Sequence, residues 1–256
     1  MSYLRVEYVK IIENVQVKSG YFLMSFESEQ MLSARPGQFM SLSAPGRMGR
    51  DMPPRRPFTV YRLNSGITEV LYKVAGRGTE LFSGLRSGDV ISCLGPNGNA
   101  FPIASKDVRD SKKSLLLGRG VGLACLAWLG SALKENGDEV ATIASFRDKG
   151  SNLVNEYIRG FSGVLHEVHD EDGTSSLDNV RQLIDGISPA VIYTCGSELF
   201  VPMLKDMPYE AYVSLEERMG CCGLGSCYTC VARTKDGEYV RSCKEGPCFD
   251  VREVDI

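Results

Sequence analysis

The stretch Leu115-Leu116-Leu117-Gly118-Arg119-Gly120-Val121-Gly122 decides the architecture. A short apolar run reaches a glycine-spaced corner. Residues 121–134 then carry apolar side chains at helical spacing, and Asn136-Gly137 closes the segment. This reads as a buried strand turning sharply into a helix. Glycine at such a corner admits a phosphate-bearing ligand to the helix N-terminus, although many strand-to-helix corners need glycine for packing alone. The alternation continues downstream. Residues 139–146, 164–168 and 190–195 read as strands, whereas 153–159, 177–184 and 199–207 read as helices, the last stopped by Pro208. Strand and helix in turn predict a parallel sheet covered on both faces.

Upstream the pattern differs. Residues 15–18 and 21–27 flank Ser19-Gly20 as a hairpin, and 38–43, 58–63, 67–75 and 89–94 read as further strands with turn signals between them. Strands at this spacing predict a small antiparallel barrel. The polar stretch 105–113 reads as a linker.

The C-terminal end is set apart by sulfur. Six of the nine cysteines fall in the last 36 residues. An odd total crowded at one end argues for metal rather than a disulfide framework. With Cys222 as the first ligand, Cys222, Cys227, Cys230 and Cys243 form C-x4-C-x2-C-x12-C, whose first three members match plant-type [2Fe–2S] spacing. Gly223 and Gly225 let the loop bring backbone N–H groups close to anionic sulfur. Zinc is the competing reading, but its ligands usually come as two short pairs. Cys221 is an alternative to Cys222 that the Cys-Gly-x-Gly-x-Cys frame disfavours, and Cys248 reads as a packed thiol.

Composition bounds the rest. A chain of 256 residues with 43% hydrophobic and 24% charged content is long enough for about two domains. The net charge of −3 gives no basis for a nucleic-acid groove. No apolar run approaches the ~20 residues of a membrane span, and residues 1–10 carry no uninterrupted apolar core, so no secretory signal and no membrane association are expected. His166 and His169 lie on opposite faces of one predicted strand and make no metal site. Asp170-Glu171-Asp172 reads as a solvated turn and Trp128 as a core residue.

Two weaker strings complete the picture. Arg55-Arg56-Pro57-Phe58-Thr59 opens a strand with a guanidinium able to grip a pyrophosphate. Leu71-Tyr72-Lys73 runs into Gly76-Arg77-Gly78-Thr79, a turn that can begin a helix. Together with the terminal cysteines, and in this order, they make the chain resemble the electron-transfer subunits of type B dihydroorotate dehydrogenases in the ferredoxin-reductase superfamily, over essentially its whole length.

The resemblance implies a β plus α/β protein: an antiparallel FAD-binding barrel (1–104), a Rossmann-like NAD-binding α/β domain (105–212) and a [2Fe–2S] module (213–256). It implies that Arg56, Pro57, Phe58, Thr59, Leu71, Tyr72, Lys73, Gly78 and Thr79 contact FAD. Cys222, Cys227, Cys230 and Cys243 would ligate the cluster, and Gly118, Gly120 and Gly122, with Cys195 and Gly196, would meet NAD. The chain departs from the family where Arg119 replaces a third glycine and where Leu123-Ala124-Cys125 replaces a proline-containing stretch. Arg147 and Asp148 leave the choice between NAD and NADP open.

Nicotinamide exchanges two electrons as hydride and a cluster passes one, so a flavin belongs between them, with no side chain cast as catalyst. The implied partner is an FMN-containing subunit oxidising dihydroorotate to orotate in pyrimidine biosynthesis. The assembly would be a cytoplasmic hetero-oligomer, of heterotetrameric type. A related reductase subunit serving a hydrogenase or a ferredoxin:NADP oxidoreductase is the alternative, and a zinc-stabilised interaction module without flavin is a third.

Overall fold

The computed structural model describes residues 6–46, 55–103 and 113–256. Most of the 105–113 linker therefore lies outside the described residues. The first sheet contains β1 (Glu7–Lys18), β2 (Tyr21–Glu27), β3 (Phe39–Ser43), β4 (Arg56–Thr59), β5 (Arg62–Asn64), β6 (Ile67–Lys73) and β7 (Val90–Asn97), with helix α1 (Arg77–Ser83) between β6 and β7. Their order is β4-β3-β7-β1-β2-β6-β5, antiparallel throughout. Only Val60 and Tyr61 separate β4 from β5, so the two edges of the sheet lie together and the sheet rolls into a barrel. Met24, Phe26, Met40, Leu42, Val70 and Phe82 fill it.

The second sheet contains β8 (Lys113–Arg119), β9 (Glu139–Phe146), β10 (Val164–His169), β11 (Val191–Cys195) and β12 (Glu210–Ser214). Helices α2 (Gly122–Glu135), α3 (Glu156–Phe161), α4 (Leu177–Ile187) and α5 (Phe200–Lys205) connect them. The order β10-β9-β8-β11-β12 is parallel throughout. Two cores cover its faces, one built with α2 and α3, the other with α4 and α5. Strand order reverses between β8 and β11, and such a reversal opens a crevice at the strands' carboxyl ends.

The tail adds β13 (Val231–Thr234), β14 (Tyr239–Arg241), β15 (Cys248–Asp250) and β16 (Val254–Asp255). β13, β14 and β16 form a small sheet, whereas β15 joins the second sheet antiparallel to β12. The cysteine-rich end is thereby stitched into the α/β layer.

The barrel and the α/β layer share one core, in which Tyr21, Tyr61, Leu71 and Phe101 pack with α2 residues. Trp128, read as an ordinary core residue, is half-buried and packs from α2 against the barrel core. Asn155 donates to the Tyr61 hydroxyl at 2.9 Å, and Tyr193 donates to the Pro102 carbonyl at 2.7 Å. Among the described residues no helix is long and apolar enough to cross a membrane.

Candidate functional site

Between barrel and α/β layer lies a cleft of about 1050 Å³. Its barrel wall follows from the pairing of strands: Arg56, Pro57, Phe58 and Thr59 line it from β4, and Leu71, Tyr72 and Lys73 from β6. Phe58 meets the rings of Tyr72 and Phe82 edge-on at 5.5 and 5.1 Å, which fixes the wall. The Tyr72 hydroxyl donates to Asn14, and burial pushes its pKa up to about 12, so it remains a neutral donor. Thr79 also lines the cleft, and its hydroxyl oxygen accepts from the backbone N–H of Ala75 and of Gly76, holding the turn before α1.

Gly78 does not line the cleft; it lies beneath Arg56. A Cβ on Gly78 would come within 2.4 Å of the guanidinium, so glycine is what allows Arg56 to lie flat over the start of α1. A planar fork at that place suits a pyrophosphate.

The opposite wall is the strand-order crevice. Gly120 and Gly122 line it after β8, and Cys195 and Gly196 at the end of β11. Gly196 has φ +92°, and a Cβ there would sit 2.1 Å from the Arg119 carbonyl. A Cβ on Gly122 would lie 2.5 Å from the Cys195 carbonyl group. The two strand ends can approach this closely only as glycine. Gly118 packs against Leu123 and does not line the cleft, so its part is in shaping the corner.

Arg119 donates to Ser145 Oγ at 2.8 Å and pairs with Asp170 at 2.7 Å. Asp170 is thus more than a solvated turn residue: the Arg119 guanidinium holds its carboxyl below the usual range. The sequence reading missed Tyr21, Ser151, Ser197, Glu216 and Met219, which also line the cleft. They sit in turns or at element ends and carry no motif.

The cysteine loop leans on the barrel. Gly223 (φ +68°) lies so close to β3 that a Cβ would meet Ser41 Oγ at 2.2 Å, and Gly225 (φ +79°) is pressed against Lys244. The Cys222 sulfur accepts from the N–H of Leu224 at 3.3 Å and of Ser226 at 3.4 Å, and the Cys243 sulfur accepts from Gly225 at 3.1 Å. Backbone donors aimed at sulfur are what thiolates bound to iron require.

Cys227 contacts Cys222 as well as Cys221, and Cys243 contacts Cys230, so the four expected ligands gather at one place. The Thr229 hydroxyl beside Cys227 lowers that thiol to about 6, so it is readily ionised. Burial raises Cys243. The Cys221 thiol reaches Cys227 and faces Arg56, with no backbone donor of its own among the described contacts.

Met219 joins the two sites. It lines the cleft and also packs with Phe39, Cys230 and Cys243. Phe39 pairs with Thr59 across β3 and β4, so cleft and cysteine loop occupy two sides of one β-ladder.

A family model described as the iron-sulfur cluster binding domain of dihydroorotate dehydrogenase B matches residues 216–255. The dihydroorotate dehydrogenase B (NAD(+)) electron transfer subunit of Streptococcus mutans is 30% identical, with 97% of each chain covered. That of Clostridium acetobutylicum is 33% identical over 94% of this chain and 93% of its own length. The chain belongs to this electron transfer subunit family.

Among solved structures, an NADH-dependent reduced ferredoxin-NADP oxidoreductase, studied for flavin-based electron bifurcation, is 26% identical with a TM-score of 0.79 over 96% of this chain and 89% of that one. The ferredoxin reductase of carbazole 1,9a-dioxygenase, at 18% identity and a TM-score of 0.65 over 80% of this chain and 67% of its own, shares the fold. Within the electron transfer subunit family, the cleft and the cysteine loop are the features that explain such a name.

Proposed function

We propose that this chain carries electrons between a dihydroorotate-oxidising, FMN-containing catalytic subunit and NAD, with FAD in the cleft and a [2Fe–2S] cluster in the cysteine loop. The observation that carries this reading is the single Met219 side chain shared by the two sites. A bound flavin would exchange electrons in pairs with nicotinamide and singly with the cluster.

The chain's own residues bind and orient. Arg56 would take the pyrophosphate, with Thr79 and the turn under it holding α1 in place. Pro57, Phe58, Thr59, Leu71, Tyr72 and Lys73 would form the wall along the ring system and ribityl chain, with Gly78 beneath Arg56. Gly120, Gly122, Cys195 and Gly196 would admit the nicotinamide nucleotide to the crevice, and Gly118 would shape its corner. Cys222, Cys227, Cys230 and Cys243 would hold the irons. No acid or base is assigned, because no proton transfer by a side chain is required.

The partner and the heteromeric assembly follow from the relatives' designation as subunits. A cytoplasmic setting in pyrimidine biosynthesis is part of the same reading and fits nine cysteines, none of them in a disulfide. Co-expression with the FMN subunit tests it. The purified pair should reduce NAD when given dihydroorotate, and a pair with both flavins bound and no such activity overturns the assignment.

A second reading, a reductase subunit serving a ferredoxin:NADP oxidoreductase or a hydrogenase, is favoured by the Arg119 and Cys125 departures and by the similarity to the ferredoxin-NADP oxidoreductase. A pull-down of the partner separates the two.

A further inference from the structure

Three side chains from three separate elements meet behind the nicotinamide end of the cleft. Cys125 comes from α2, Cys195 from the end of β11, and Glu216 from the turn after β12. Their ligand atoms, two sulfurs and a carboxylate oxygen, all lie within 4.8 Å of one another. Cys125 and Cys195 are each 2% exposed, and the two thiols are in hydrogen-bond contact. The arrangement is built by Gly122, whose close approach draws the first turn of α2 onto the Cys195 carbonyl. Cys125, three residues on, then faces the same way.

Two thiols and a carboxylate are a donor set for a borderline-soft divalent ion. Tetrahedral zinc at its usual bond lengths sets neighbouring ligands roughly 3.3–3.8 Å apart, so the three atoms need to close by no more than about 1.5 Å. Charge favours the exchange. Zinc enters with two positive charges as the two thiols release two protons, so the buried site keeps the single negative charge that the Glu216 carboxylate gives it, and no net charge is added to the interior. Cys195 and Glu216 line the cleft, so a metal held by the three groups would be reached from the cleft, while the fully buried Cys248 thiol lies on the interior side.

We propose that Cys125, Cys195 and Glu216 form a three-ligand Zn²⁺ site open to the nicotinamide end of the cleft, where metal and nicotinamide nucleotide exclude each other. The exclusion rests on the reading of that cleft as the nicotinamide site, whereas the metal site itself does not.

The test adds zinc sulfate anaerobically to the chain loaded with its flavin and cluster. One zinc per chain should be taken up with all iron retained. X-ray absorption at the zinc edge should show two sulfurs at about 2.3 Å with lighter ligands. The rate of NADH-dependent dye reduction should fall and be restored by raising NADH. Cys125→Ala should keep that rate in the absence of zinc and weaken zinc binding at least about tenfold. Cys125→Ser preserves the volume if the alanine variant does not fold.

Zinc uptake only at the expense of iron overturns the proposal, as does a sulfur count unchanged in the Cys125 variants. If the wild-type zinc spectrum appears and is lost in Cys125→Ala, but NADH reduces no dye, the metal site stands and the nicotinamide reading of the cleft fails.

Discussion

The cleft and the cysteine loop are neighbours held together by different forces. The cleft's walls are strands and a helix anchored in two extensive apolar cores, with Phe58, Tyr72 and Phe82 locking its barrel side. Its shape is therefore set by burial before any ligand arrives. In the loop at 220–230 only Gly223, Gly225 and Cys230 are buried, and Gly223, Gly225 and Tyr228 adopt positive φ. Apolar burial is too small there to hold such a backbone, so the group gripped by the sulfurs must supply the stability. A cavity formed by packing tolerates an empty state, whereas a loop formed around metal does not.

The largest effect that would break this contrast is expected for Cys227→Ser. Iron should fall below about a tenth of wild type and the loop become protease-sensitive, while NADH-dependent dye reduction through the cleft stays within about twofold. Iron analysis beside a dye assay reads both. Loss of the two together would mean that the sites are one folding unit.

Gly223→Ala sharpens the same point without removing a ligand. A methyl 2.2 Å from Ser41 Oγ at φ +68° costs about 1–3 kcal/mol, and cluster content should drop about tenfold with flavin retained. Arg56→Ala acts in the other direction. Losing the charged fork should cost about 1.5–3 kcal/mol of FAD binding, measured by flavin release on dilution, with iron unchanged.

The smallest effect belongs to Asp170→Asn. Arg119 lowers the Asp170 pKa, so the pair contributes stability above the ordinary carboxylate range and loses it as pH falls through the lowered value. Because the pair is partly exposed to solvent, unfolding free energies from urea titration at pH 7 should differ by at most about 0.5 kcal/mol between wild type and variant, and the gap should close as pH falls below the carboxylate range.

The α/β half was the most legible from sequence, since β9 spans the residues 139–146 expected and β8, β10 and β11 fall within a residue or two of expectation at each end. A strand buried on both faces is a continuous apolar run with polar punctuation. The barrel was legible as a type but less so in its joints. The first half of β1 escaped because Glu7, Lys10 and Glu13 interrupt its apolar residues, and much of that strand is exposed. The run 58–63 read as one strand, yet it is the end of β4 and the start of β5, and the break at Val60-Tyr61 is where the sheet's edges meet. That break is a tertiary requirement with no local signal.

The site divides the same way. Spacing singled out Cys222, Cys227 and Cys230 because they share one short loop, whereas Cys243 joined them through the resemblance. Glu216 and Met219 reach the cleft, and Cys125 reaches Cys195, only through packing between distant segments. Asp170 looked like one acid of a surface turn, and only the fold brings it to Arg119.

In this reading one chain holds a flavin and a two-iron cluster on either side of a shared wall. Anaerobic titration of the purified chain with NADH, followed by visible absorption and EPR, tests it most directly. The flavin band should bleach and the signal of a one-electron-reduced two-iron cluster should rise in the same sample, at two irons per FAD. A colourless chain carrying zinc in place of iron, or a flavin that bleaches while the cluster stays silent at every NADH ratio, would contradict it.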